Sequence, residues 1–131
     1  MDNPVEKLLN LIFLVTARKG LWNGAHSRLT TTPTGAAWQM WRDGSWHEED
    51  QIPPAVLLPL MRRICALLGG LYPPYDHSFA GRIEMRVHDE PMYFLAIVIH
   101  DNTPRAVIEH VDLEAWKANS QPRPPLGHPF R

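Results

Sequence analysis

A chain of 131 residues has room for one domain of ordinary size, and its 44% hydrophobic content is enough for one continuous core. Thirteen Lys and Arg against 14 Asp and Glu leave a net charge of −1, so the basic excess that draws nucleic acid or anionic lipid is missing. The single cysteine, Cys65, lies among Ile64, Ala66, Leu67 and Leu68. It has no intramolecular disulfide partner and reads as a buried thiol in a reducing compartment, which makes the cytoplasm the expected location.

Asn3 is placed to cap a first helix from Pro4 to about Lys19, with Pro4 and Glu6 in the opening turn. Val5, Leu8, Leu9, Ile12 and Val15 or Thr16 recur at helical spacing and mark its core face. The apolar run Leu8 to Val15 is broken by Asn10 and lacks a charged segment ahead of it, so it is expected to be neither a signal peptide nor a membrane span. A strand is expected within Leu21 to Thr32, where alternation is weak.

Asp43-Gly44 is a pair that favours the positive φ values of a tight hairpin, and it divides a strand from Ala36 to Arg42 from one at Ser45 to Glu49. A two-residue loop there sets Trp41 opposite Trp46 on one face of the sheet and puts Trp38, Met40 and His47 on the other. Such a hairpin has large apolar groups on both faces. The ordinary outcome is burial of both, and the functional alternative is a partner-binding face.

Pro53-Pro54 opens a second helix with an apolar stripe of Val56, Leu57, Leu60, Met61, Ile64, Leu67 and Leu68, stopped at Gly69-Gly70. Arg62 and Arg63 fall off the stripe, as solvated charges or as a dock for an acidic partner. Three strands follow, Gly81 to His88, Met92 to His100 and Arg105 to Val111, with turns at Asp89-Glu90-Pro91 and Asp101-Asn102-Thr103-Pro104. The first alternates apolar and charged residues, whereas the second is apolar on both faces and so reads as covered on each side. Asp112 is placed to cap a short last helix containing Leu113 and Trp116.

The expected fold is therefore α+β, a mainly antiparallel sheet of about six strands with two principal helices, in the order α-β-β-β-α-β-β-β-α. It occupies residues 1–119 as a single domain. Residues 120–131, with Pro122, Pro124, Pro125 and Pro129, form a Pro-rich flexible tail or extended arm.

Residues Pro4 to Val111 resemble the smaller, non-catalytic N-terminal domain of the traffic ATPases of type II secretion and type IV pilus assembly. The resemblance rests on the opening Pro4-Val5-Glu6-Lys7-Leu8-Leu9-Asn10-Leu11-Ile12 helix, the Trp41-Arg42-Asp43-Gly44 hairpin, Ile52-Pro53 before the second helix, and Gly81-Arg82-Ile83 opening the next strand. The family's Ala-Ser-Asp-x-His run is replaced by Asn23-Gly24-Ala25-His26-Ser27, and its later arginines by Phe94-Leu95-Ala96-Ile97. No nucleotide-facing role is carried over. The sequence also lacks the G-x-x-x-x-G-K-[ST] loop whose backbone and lysine hold a triphosphate, so no ATP hydrolysis is expected.

Other chemistry is no better marked. Seven histidines, His26, His47, His77, His88, His100, His110 and His128, show no zincin spacing and no CxxC partner, so no metal ligands, cofactor-binding residues or catalytic residues are assigned. Cys65 on an apolar helix face is a core thiol rather than a nucleophile. The serines lack a G-x-S-x-G elbow.

The expected function is non-catalytic: a protein-protein interaction or assembly module with a protein partner of the secretion or pilus type, or a homodimer, without nucleic acid or membrane insertion. The candidate interaction surface is Trp38, Trp41, Trp46, Arg62 and Arg63. The alternatives are a dimeric secretion-chaperone-like module that offers apolar strands to a client, and a small-ligand domain with a pocket lined by Trp and His.

Overall fold

A computed structural model describes residues 3–19, 25–74, 77–87 and 89–123 of the chain. The elements are α1 (Pro4–Lys19), β1 (Ala25–Thr32), β2 (Gly35–Arg42), β3 (Ser45–Ile52), α2 (Pro54–Leu67), β4 (Ser78–Val87), β5 (Glu90–Ile99), β6 (Arg105–Val111) and α3 (Leu113–Ala118). This is the α+β order expected from the sequence. The strand expected over Leu21 to Thr32 is present as β1, and positions 21–24 lie outside the described residues.

All six strands join one antiparallel sheet in the order β3-β2-β1-β6-β5-β4. The first meander runs from the centre to one edge, and the second runs from the far edge back to the centre. α2 is the connection between those edges. Six strands at ~4.8 Å spacing span ~24 Å, and 14 helical residues extend ~21 Å, so a helix of this length can cross most of the sheet.

α1 and α2 lie on one face, hereafter the inner face. Leu9, Ile12 and Phe13 of α1 and Leu57, Leu60, Met61, Ile64 and Cys65 of α2 are buried there against Leu29, Trp38, Met40, Phe94, Ala96, Val98 and Ile108. Asn3 caps α1 as expected, its Oδ1 accepting from the amides of Val5 at 3.0 Å and Glu6 at 3.3 Å. α2 ends at Leu67 and is followed by Gly69, whose φ of +89° suits a glycine, while the Gly70 amide closes onto the Cys65 carbonyl at 2.8 Å.

The hairpin turn at Asp43 (φ 52°) and Gly44 (φ 81°) has the two positive φ values that the pair predicts. The β4–β5 turn sits one step earlier than expected, because Val87 pairs with Glu90 and Arg86 with Pro91. Glu90 and Pro91 thus belong to β5. Pro91 is tolerated there because β6 begins its pairing with β5 only at Tyr93, so no ladder bond is lost on that side.

β5 is covered on both faces, as its composition implies. Phe94, Ala96 and Val98 are buried on the inner face, and Leu95 is fully buried on the other. α3 packs over that outer face at the β4–β5–β6 end. Asp112 caps it by accepting from the Ala115 amide at 2.8 Å, and Trp116 stacks by Tyr93 at 5.2 Å while donating to the Ile83 carbonyl at 3.2 Å. Among the described residues no helix is long and apolar enough to cross a membrane.

Candidate functional site

The outer face divides into two regions. Over β5 and one end of β6 it is covered by α3 and by the residues after it, which reach back to the sheet at Arg123, while Arg82, Glu84 and Arg86 of β4 stay exposed. The Arg123 amide donates to Glu109 Oε1 at 2.9 Å, and its guanidinium donates to Glu109 Oε2 through Nε at 3.0 Å and Nη2 at 2.7 Å. Glu109 is buried, and beside it the buried His26 contacts the Arg123 carbonyl through Nε2 at 2.7 Å. A carbonyl only accepts, so Nε2 carries the proton. The first part of the Pro-rich segment, 120–123, is therefore held against the sheet, and residues 124–131 lie outside the described residues.

Over β1, β2 and β3 no described helix covers the outer face. Register sets Trp41 opposite Trp46 there, as the two-residue hairpin requires, and the indoles meet edge to face with centroids 5.3 Å apart. Both are partly exposed. Arg28 of β1, on the same face, lays its guanidinium 4.5 Å from the Trp46 ring centroid and donates from Nε to Gln39 Oε1 at 2.8 Å. Three strands thus contribute one aromatic and cationic platform.

Its outer margin, β3, is an edge strand bearing Glu48, Glu49 and Asp50. A bulge opposite Trp38 and Gln39 inserts Glu49, which pairs with Arg42 at 3.3 Å. Charges and a bulge on an edge discourage pairing with another strand, above all with a second copy of the same acidic strand.

The five candidate surface residues fall in three places. Trp41 and Trp46 are together on the part of the outer face that no described helix covers. Trp38 points the other way, is 4% exposed, and donates from Nε1 to Ser27 Oγ at 3.1 Å inside the core. It belongs to the core and adds nothing to a surface. Arg62 and Arg63 are exposed on α2, across the sheet from the tryptophans, and Arg63 is ion-paired with Glu6 of α1. The arginine pair and the tryptophan pair cannot form one continuous patch.

The sequence alone does not single out Arg28, because the weak alternation of β1 hides the face on which it lies, and only the β1–β2 register sets it opposite Gln39.

Among the described residues no three His, Cys, Asp or Glu side chains cluster in a way that would hold a metal ion. Cys65 is fully buried, and burial pushes its thiol pKa up, away from thiolate reactivity. His100 Nδ1 lies 2.8 Å from the Tyr72 hydroxyl, whose pKa is raised chiefly by burial. No protein-family model and no curated protein sequence matches the chain.

Proposed function

We propose that this protein is a non-catalytic interaction module that engages a protein partner through the outer face of β1–β2–β3. The observation that carries this reading is the Trp41–Trp46 pair, partly exposed and braced by Arg28 on the half of the sheet that no described helix covers. Trp and Arg are the side chains most often found at the energetic centre of protein interfaces. Here they are already held by one another and by Gln39, so a partner meets an ordered surface and less conformational entropy is lost on binding.

The acidic β3 edge favours a partner with basic groups at that margin and disfavours edge-to-edge pairing of two copies. The sequence resemblance to a traffic-ATPase N-terminal domain points to a secretion- or pilus-assembly component as the partner class. The chaperone-like alternative uses the same face in a different way, as a symmetric dimer or as a platform for an extended client.

Light scattering on the full chain, followed by affinity capture compared between wild type, Trp41→Ser/Trp46→Ser and Arg62→Glu/Arg63→Glu, tests the proposal. The expected result is a partner, or a dimer, kept by the arginine variant and lost by the tryptophan variant. Equal behaviour of wild type and the tryptophan variant, with both folded, would overturn it.

A further inference from the structure

Beside the tryptophan platform, β1 and the β5–β6 loop enclose an open cleft of about 560 Å³ whose lining includes Arg28, Thr31, Gln39, Asp101, Thr103 and Arg105. The register explains why two cations meet here. Arg28 pairs with Val107 and Thr30 with Arg105, which makes the two arginines diagonal neighbours on the outer face.

Their charges are treated differently. Arg105 donates from Nη1 to Asp101 Oδ1 at 2.9 Å and Oδ2 at 3.1 Å, and to the Thr103 carbonyl at 2.8 Å. Asp101 is further committed to the Thr103 amide at 2.8 Å. Arg28 is held only by neutral groups, the Gln39 amide oxygen and the Trp46 ring, and among the described residues no carboxylate pairs with it.

Gln39 engages Nε alone, so neither Nη group of Arg28 has an acceptor among the described residues. The lining thus carries two guanidinium groups against one carboxylate, on a chain whose overall charge is −1. Burial, and secondarily the nearby Arg105, hold the Arg28 pKa below its usual range.

We infer that this cleft binds a small oxyanion, a phosphoryl or carboxylate group, with the Arg28 Nη groups as the principal donors and Arg105 as the second cation. A guanidinium whose orientation is already fixed offers two parallel N–H donors to two oxygens of one anion with little further loss of freedom. Asp101 keeps the Arg105 side chain in place and, as a carboxylate, repels an anion on that side, which leaves Arg28 as the principal donor. The site shares Arg28 with the tryptophan platform, but anion binding is read without a protein partner, so its failure is distinguishable from failure of the interaction reading.

The test is an amide and arginine-side-chain NMR titration of the full chain with inorganic phosphate and, separately, acetate, at constant pH and at ionic strength matched with chloride. The expected result is saturable shifts confined to Arg28, Thr31, Thr103 and Arg105, weakened at least about ten-fold by Arg28→Gln. Arg28→Lys, which keeps charge but not the fork, should fall between the two. Saturation by phosphate alone identifies a phosphoryl ligand, and saturation by both identifies the broader class. Shifts that never saturate in wild type, or that persist unchanged in a folded Arg28→Gln protein, would overturn the assignment.

Discussion

Ser27 is a buried polar residue on the helix-facing side of β1, and its surroundings leave only one arrangement of protons. The Thr16 hydroxyl donates to the Ile12 carbonyl at 2.5 Å, so its oxygen accepts from Ser27 at 2.6 Å, and Ser27 accepts in turn from the Trp38 indole at 3.1 Å. The chain ties α1, β1 and β2 together in a buried layer where each group would otherwise lack a partner. Ser27→Ala leaves the Trp38 N–H without an acceptor, and chemical denaturation should show a loss of about 1–3 kcal/mol.

His110 presents the opposite case. Burial lowers its pKa, and its Nδ1 is buried without a hydrogen-bond partner among the described residues. The unfolded chain therefore binds the proton more readily than the folded one. The stability it contributes is fully present above the unfolded-state pKa of about 6.5 and is lost as pH falls through the lower folded-state pKa. Stability measured as a function of pH should fall more steeply below 6.5 in wild type than in His110→Phe, provided that variant folds; identical slopes would assign the decline to other groups.

At the scale of elements, local chemistry set the order of helices and strands well ahead of their packing. Asn3 and Asp112 cap helices, Asp43-Gly44 turns the hairpin, and Gly69 stops α2, because each acts through backbone geometry within a few residues. What the sequence left open is nonlocal. It could not tell that Trp38 and Trp41, three residues apart, part company between core and surface, since either face of a two-sided apolar hairpin could have been the one beneath α1 and α2. Nor could it reveal that Arg28 joins the tryptophans, because that requires the register of β1 on β2 and of β2 on β3.

The segment after α3 illustrates the same limit. Its prolines suggested an arm, but the buried Glu109 that Arg123 neutralises lies 14 residues away on β6. Arg123→Ala removes the guanidinium from a carboxylate that stays buried. With water able to enter once the half-exposed arginine is gone, the expected cost is on the order of 2 kcal/mol, with Arg123→Lys recovering part of it. Equal thermal stability of wild type and Arg123→Ala would mean that the contact holds the strap without supporting the sheet.

The molecule as a whole is a sheet with two unequal coverings. Its inner face is closed by two long helices, and its outer face is covered over β5 and one end of β6 by α3 and residues up to Arg123. Over β1–β3 no described helix lies on the outer face and two indoles are partly exposed, so burying the rest of each on association would contribute less than the roughly 1.5–3 kcal/mol of a fully exposed apolar side chain. Charged edges on β3, with Glu48 and Asp50, and on β4, with Arg82, Glu84 and Arg86, oppose growth of the sheet sideways and leave this face as the proposed site of association.

A photo-crosslinking residue placed at position 41 and, in a second protein, at position 62, expressed in cells that normally make the chain, tests that assignment most directly. The expected result is crosslinks from position 41 to a defined protein or to a second copy, abolished by Trp46→Ala and by Arg28→Ala, with position 62 silent. Crosslinks from position 62 alone, or from position 41 but indifferent to Trp46 and Arg28, would contradict it.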